Sequence, residues 1–161
     1  MVIVALLGCT HYRQADADPE RSGEWHPLPP SAHVVFARAQ GPETADQRVL
    51  RDQPAWDSLW ATIAVPALGA SPPLVDFERE SLLVVAAGVG GDADSIAIDG
   101  LATRGDTLLV RFRRWCPASP ATRVSYATHV VRVRRPAGPV SFQEMLDETC
   151  REREYRRGTA P

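Results

Sequence analysis

The period of the apolar positions changes along the chain, and each change marks an element. His33-Val34-Val35-Phe36-Ala37-Arg38 is short, rich in β-branched residues and closed by Gly41-Pro42, so a strand is expected there, with a weaker one over Gln47 to Arg51. Asp52-Gln53-Pro54 then offers a cap and an early-turn proline, and Trp56, Leu59, Trp60 and Ile63 recur at i, i+3, i+4 and i+7. That spacing predicts an amphipathic helix ending before Pro66, with both tryptophans in the core. Beyond a Gly/Pro-rich loop, strand character is expected at Leu74-Val75-Asp76-Phe77. The continuous run Leu82-Leu83-Val84-Val85-Ala86-Ala87 predicts a central strand buried on both faces. Ser95 to Leu101 leads to the turn Arg104-Gly105-Asp106-Thr107, after which alternation sets Val110 and Phe112 against Arg111 and Arg113. A long strand over Arg123 to Val133 sets Val131 and Val133 against Arg132 and Arg134 in the same way.

At the end of the chain Ser141 and Glu144 match a capping box, and Phe142, Met145, Leu146, Thr149 and Cys150 fall on one helical face. Strand follows strand with few helices between. The order therefore predicts an α+β fold, mainly antiparallel β-sheet, sandwich- or barrel-like, with one amphipathic helix near 54–64 and a C-terminal helix near 142–156. The chain divides into an apolar signal- or lipobox-like segment (1–9), a flexible Pro/Asp-rich tether (10–32) and a single β-rich domain (33–157).

Length and charge narrow the function. The 161 residues support one modest core. Eighteen basic against 20 acidic residues leave a net charge of -2, which argues against binding nucleic acid or a membrane surface through global charge. Every basic residue apart from the four histidines is Arg, and Asn is absent, so neither a Lys Schiff base nor an N-glycosylation site exists in this sequence.

The N-terminus points to export. Leu6-Leu7-Gly8-Cys9 resembles a bacterial lipobox, in which the peptide is cut before the cysteine and the sulfur is lipidated, so Cys9 is the expected lipidation site. Eight residues without a basic start are shorter than an export signal. Either the true start lies upstream or the signal has decayed. With Cys9 lipidated, Cys116 and Cys150 are an even pair for an oxidising compartment, and one disulfide between them is expected; the alternative is two separate buried thiols. The expected location is the bacterial cell envelope, lipid-anchored or secreted.

Few residues suggest chemistry. None of His11, His26, His33 and His129 has metal-ligand spacing, and neither a metal site nor a cofactor is expected. Ser125 and His129 share a strand face at i and i+4 but stand too far apart to bond, and no G-x-S-x-G elbow is present, so no catalytic residue is assigned. Gly88, Gly90, Gly91, Asp92, Asp94 and Ser95 form the most conspicuous loop. It lacks the following helix a phosphate cradle needs and the oxygen ligands Ca²⁺ needs, so it reads as a connection and as the candidate binding loop. Arg111, Arg113, Arg132 and Arg134 are expected on solvated sheet faces.

From Trp56 to Gln143 the order of an aromatic helix, Val75-Asp76-Phe77, the apolar strand Leu82 to Ala87, the glycines Gly88 to Gly91 and alternating strands ending in Val140-Ser141-Phe142 resembles the C-terminal domain of the protease complex subunit family, the PrcB type. Members are secreted or lipid-anchored bacterial proteins, and the founding role is a noncatalytic subunit of a surface protease complex. The family's glycine loop carries a Thr-Gly-Gly-Tyr-like turn, similar to chagasin-type cysteine-protease inhibitors. Here Gly90-Gly91-Asp92-Ala93-Asp94 stands in its place, without the Thr or the Tyr. The resemblance implies a non-enzymatic domain whose partner is a protein such as a protease, with membrane contact through the lipid alone and no nucleic acid. A protease inhibitor acting through Gly88 to Ser95 is the alternative. A hydrolase built around His129 is a third reading.

Overall fold

The computed structural model describes residues 24–29, 32–38, 41–63, 71–88, 90–91, 95–116, 124–148 and 150–152. In chain order the elements are β1 (His33–Arg38), β2 (Ala45–Leu50), α1 (Gln53–Ile63), β3 (Glu80–Ala87), β4 (Gly90–Gly91), β5 (Ser95–Arg104), β6 (Thr107–Trp115), β7 (Val124–Ser125), β8 (Thr128–Arg134) and β9 (Val140–Leu146). A four-stranded antiparallel sheet has the order β1-β8-β3-β2, a three-stranded sheet the order β5-β6-β9, and β4 pairs with β7. The chain is thus an α+β, β-rich protein. Both larger sheets are open among the described residues, so the sandwich-like expectation applies and the barrel does not.

Alternation along β3 and β8 explains the layering. Leu82, Val84 and Val130 turn to one face of the four-stranded sheet and form a core with Leu50 and with Trp56, Leu59 and Ile63 of α1. Leu83, Val85, Val131 and Val133 turn to the other face and meet Ile96, Ile98, Leu101, Val110 and Phe112 of the three-stranded sheet. The central position of β3, and its burial on both faces, is what its uninterrupted apolar run predicted.

The helix begins as its sequence predicted. The Asp52 carboxylate accepts the Ala55 N–H at 2.9 Å, an N-cap, and Pro54 sits in the first turn, where its missing N–H leaves no helical bond unmade. Asp52→Ala is expected to cost about 1 kcal/mol of stability, read from the midpoint of urea unfolding with the slope unchanged. No change in that midpoint would mean that the cap contributes nothing. At the β5–β6 hairpin Gly105 has φ 64° and Asp106 follows with negative φ, the arrangement of a type II′ turn that matches the strand twist.

Five expectations are corrected. Val140–Leu146 forms β9, an edge strand parallel to β6, where a helix from near 142 was expected; helical residues start only at 148, with the Asp147 carboxylate accepting the Cys150 N–H at 2.8 Å. A strand edge on β6 outweighs the local capping pattern, and Met145 is left exposed where a helix would have buried it. Residues 71–76 carry no strand, and a turn follows at 77–79; Val75 and Phe77 instead pack against the core beside α1. The strand expected over 123–133 is broken at Tyr126-Ala127, where the Ala127 carbonyl accepts the Ala87 N–H. The β6–β9 pair is parallel in a sheet expected to be antiparallel.

The fifth concerns the tether. Residues 24–29 are built into the fold: the His26 and Leu101 backbones exchange two hydrogen bonds of 2.9 Å, Leu28 packs on the core, and the Arg111 guanidinium lies 5.2 Å from the centre of the Trp25 ring. The stretch is proline-rich, yet its backbone pairs with part of the open edge of β5.

Candidate functional site

The candidate loop connects the two large sheets. Its first root is Gly88 at the end of β3, buried, with φ 71°. A Cβ there would lie 2.6 Å from the Ala45 backbone nitrogen, so only glycine lets the chain turn this close to the start of β2. Gly90 and Gly91 form β4 and pair with Ser125 and Val124. The second root is Ser95, exposed, at the start of β5 and opposite Trp115 in the register. Val89, Asp92, Ala93 and Asp94 lie outside the described residues, as does Cys9.

Register brings Cys116 and Cys150 to the Ser95 end of the molecule. Trp115 is followed by Cys116, which forms a disulfide with Cys150, S–S 2.13 Å and Cα–Cα 5.0 Å. Cys150 is fully buried, and the bridge ties the helical residues 150–152 to the end of β6, where the Asp147 N–H also reaches the Arg114 carbonyl. Of the two expected alternatives, the structure places the pair in disulfide geometry.

The four strand arginines do not converge. Asp99 pairs with Arg111 at 2.7 Å and with Arg113 at 3.3 Å on the outer face of the three-stranded sheet, while Arg132 of the other sheet pairs with Glu80 at 3.6 Å. Arg113 also lies 5.8 Å from the centre of the Trp115 ring, so Trp25, Arg111, Arg113 and Trp115 make a ladder along β6 with Asp99 beside it. Sequence reasoning missed this ladder. A signal for it was present: apolar positions run Ile96, Ile98 and then Leu101, a slip of phase that marks the bulge between Ile98 and Gly100 at which Asp99 sits.

His129 is not on one strand with Ser125, because β7 ends before Tyr126 and β8 begins at Thr128. The imidazole is buried in the core, and its Nδ1 accepts the Ile98 N–H at 3.1 Å. Burial lowers its pKa from the ordinary histidine value. The arrangement makes His129 a link between the sheets.

Among the described residues no cluster of His, Cys, Asp or Glu is placed to hold a metal ion, and no helix is long and apolar enough to cross a membrane. Comparison with family models, with curated proteins and with solved structures finds no match to this chain.

Proposed function

We propose that this chain is an exported, non-catalytic protein-binding domain, held at the cell envelope by lipid on Cys9 and acting as an accessory subunit of a surface protease complex. The observation that carries this reading is the Cys116–Cys150 disulfide, since such bridges persist in oxidising compartments and are rare where thiols are kept reduced. The order of elements that resembles the PrcB-type domain supplies the partner class. The roots of the Gly88 to Ser95 loop, Gly88 on one sheet and Ser95 on the other, support a binding role, because binding residues are often carried on loops that a folded scaffold positions.

Two measurements test the reading. The intact mass of protein isolated from membranes, expressed with its upstream genomic sequence, is expected to lack residues 1–8 and to carry acyl mass at Cys9. An unmodified, soluble chain would sink the anchoring claim. Replacing Asp92 to Ser95 with a plain turn then separates the two binding roles. An accessory subunit is expected to keep its protease partner in a pull-down, whereas an inhibitor acting through this loop would lose its effect on the protease.

A further inference from the structure

The imidazole of His129 joins the four-stranded sheet, through β8, to the start of β5 in the three-stranded one. The single bond it makes there falls on Ile98, beside the bulge and three residues beyond Ser95, the second root of the candidate loop. We propose that His129 is an acid-sensitive latch between the two sheets: neutral, its Nδ1 accepts the Ile98 N–H and pins the start of β5, and protonation turns that acceptor into a donor, breaks the bond and frees the Ser95–Ile98 end with the loop root. The proposal stands whether or not the loop binds a partner.

Among the described residues the imidazole has no charged partner. Val85 is its register partner on β3, and Leu83, Ile96, Ile98, Val131 and Phe112 line the same core. On β1 the register partner is Ala37, while Arg38 pairs with Thr128. Asp99 of β5 and Arg111 and Arg113 of β6 face the outer side of their sheet and pair with each other; Arg132 and Glu80 lie on the α1 side of β8 and β3. Arg114 of β6 and Glu144 of β9 stand in register with Ile96 and Phe112, on the inner face of the three-stranded sheet, and pair with each other at 2.9 Å, while His26 is bridged through its backbone to Leu101 at the β5 edge. Among the described residues no carboxylate is hydrogen-bonded or ion-paired to His129, so a proton there meets a backbone N–H within a largely apolar core.

The sign of the pH effect follows. With the folded pKa lowered, both states hold a neutral imidazole above about pH 6.5, the unfolded value, and the latch is fully present. As the pH falls through about 6.5 toward the folded value, the open form takes up the proton first and the latch weakens.

Amide hydrogen exchange of the full chain, corrected to protection factors, tests this. Between about pH 7.5 and about pH 5 the protection of Ile98 and its neighbours Ser95 to Ala97 is expected to fall roughly tenfold or more, while β3 amides keep theirs. In His129→Asn, whose Oδ1 can take the place of Nδ1 and does not titrate, the protection at Ile98 is expected to stay constant over that range. Three results would overturn the latch: unchanged Ile98 protection in the parent chain, a fall shared equally by β3, or the same fall in His129→Asn, which would move the effect to His26 or elsewhere. Imidazole ¹⁵N spectra of the parent chain serve if the variant does not fold. The titration midpoint of His129 in the folded chain must then lie below about 6.5, with the Ile98 protection falling between about 6.5 and that midpoint, and a midpoint at or above about 6.5 refutes the proposal.

Discussion

Replacing Cys116 and Cys150 together by serine is expected to lower the unfolding free energy by about 2–4 kcal/mol, one of the two largest effects of substitution in this protein. The bridge spans a sequence separation of 34 residues, so in the chain-entropy picture it removes freedom from an unfolded segment that includes β7, β8 and β9. Long-loop closure of this kind contributes about 4 kcal/mol at most, and local packing adjusts that figure. Packing is expected to subtract little, because at the fully buried Cys150 the Arg114 carbonyl lies 3.5 Å from the sulfur and can accept the serine hydroxyl. The loss should be uneven. β9 is an edge strand held to the sheet by β6 on one side and by this bridge at its end, so its amides and the Asp147 N–H should lose exchange protection before those of β3. Urea unfolding of oxidised and reduced protein gives the first number and hydrogen exchange the second. A change below about 1 kcal/mol would mean that the unfolded chain is already compact around this loop.

Trp56→Ala is expected to be at least as damaging, at about 3–5 kcal/mol. Trp56 has no exposed surface; it lies in the core formed by Leu59, Ile63, Leu82, Val84 and Val130, and its ring meets that of Trp60 edge to face at 5.2 Å. Its indole N–H also donates to the Pro73 carbonyl at 3.0 Å, which fastens the 71–79 segment over α1. Alanine would leave a cavity between helix and sheet and would release that segment. Trp56→Phe separates the two contributions, since the ring stays and only the N–H is lost, at about 1–2 kcal/mol. Both variants are read by denaturant unfolding. An alanine variant as stable as the parent would show that α1 does not depend on this side chain for its seat on the sheet.

The candidate loop was legible as a loop because glycines and short acidic residues interrupt two apolar runs. Its importance to the architecture was not. That Gly88 must be glycine depends on the backbone of Ala45, which is 43 residues earlier in sequence and brought alongside only by the pairing of β2 with β3. The same holds for His129, which in sequence is a lone histidine among valines and in the fold bonds a bulged strand 31 residues away.

Local pattern by itself determined the elements whose stabilising contacts lie on one face or in one turn. The stripe Trp56, Leu59 and Ile63 with its Asp52 cap is a helix, the double-sided run of β3 is a central strand, the phase of Val110 and Phe112 marks the inner face of β6, and Gly105-Asp106 is the turn before it. Cysteine parity likewise anticipated the bridge from Cys116 to Cys150. Only the tertiary structure decided which strand lies beside which. It made a parallel edge strand of the stretch that looked like a capped helix, drew residues 24–29 onto the edge of β5, and paired Arg111 and Arg113 with Asp99 on one sheet and Arg132 with Glu80 on the other. The physical reason is the range of the forces involved: periodicity and capping act within a few residues, whereas unpaired strand edges and unneutralised charges are satisfied by whatever the folded chain brings within reach.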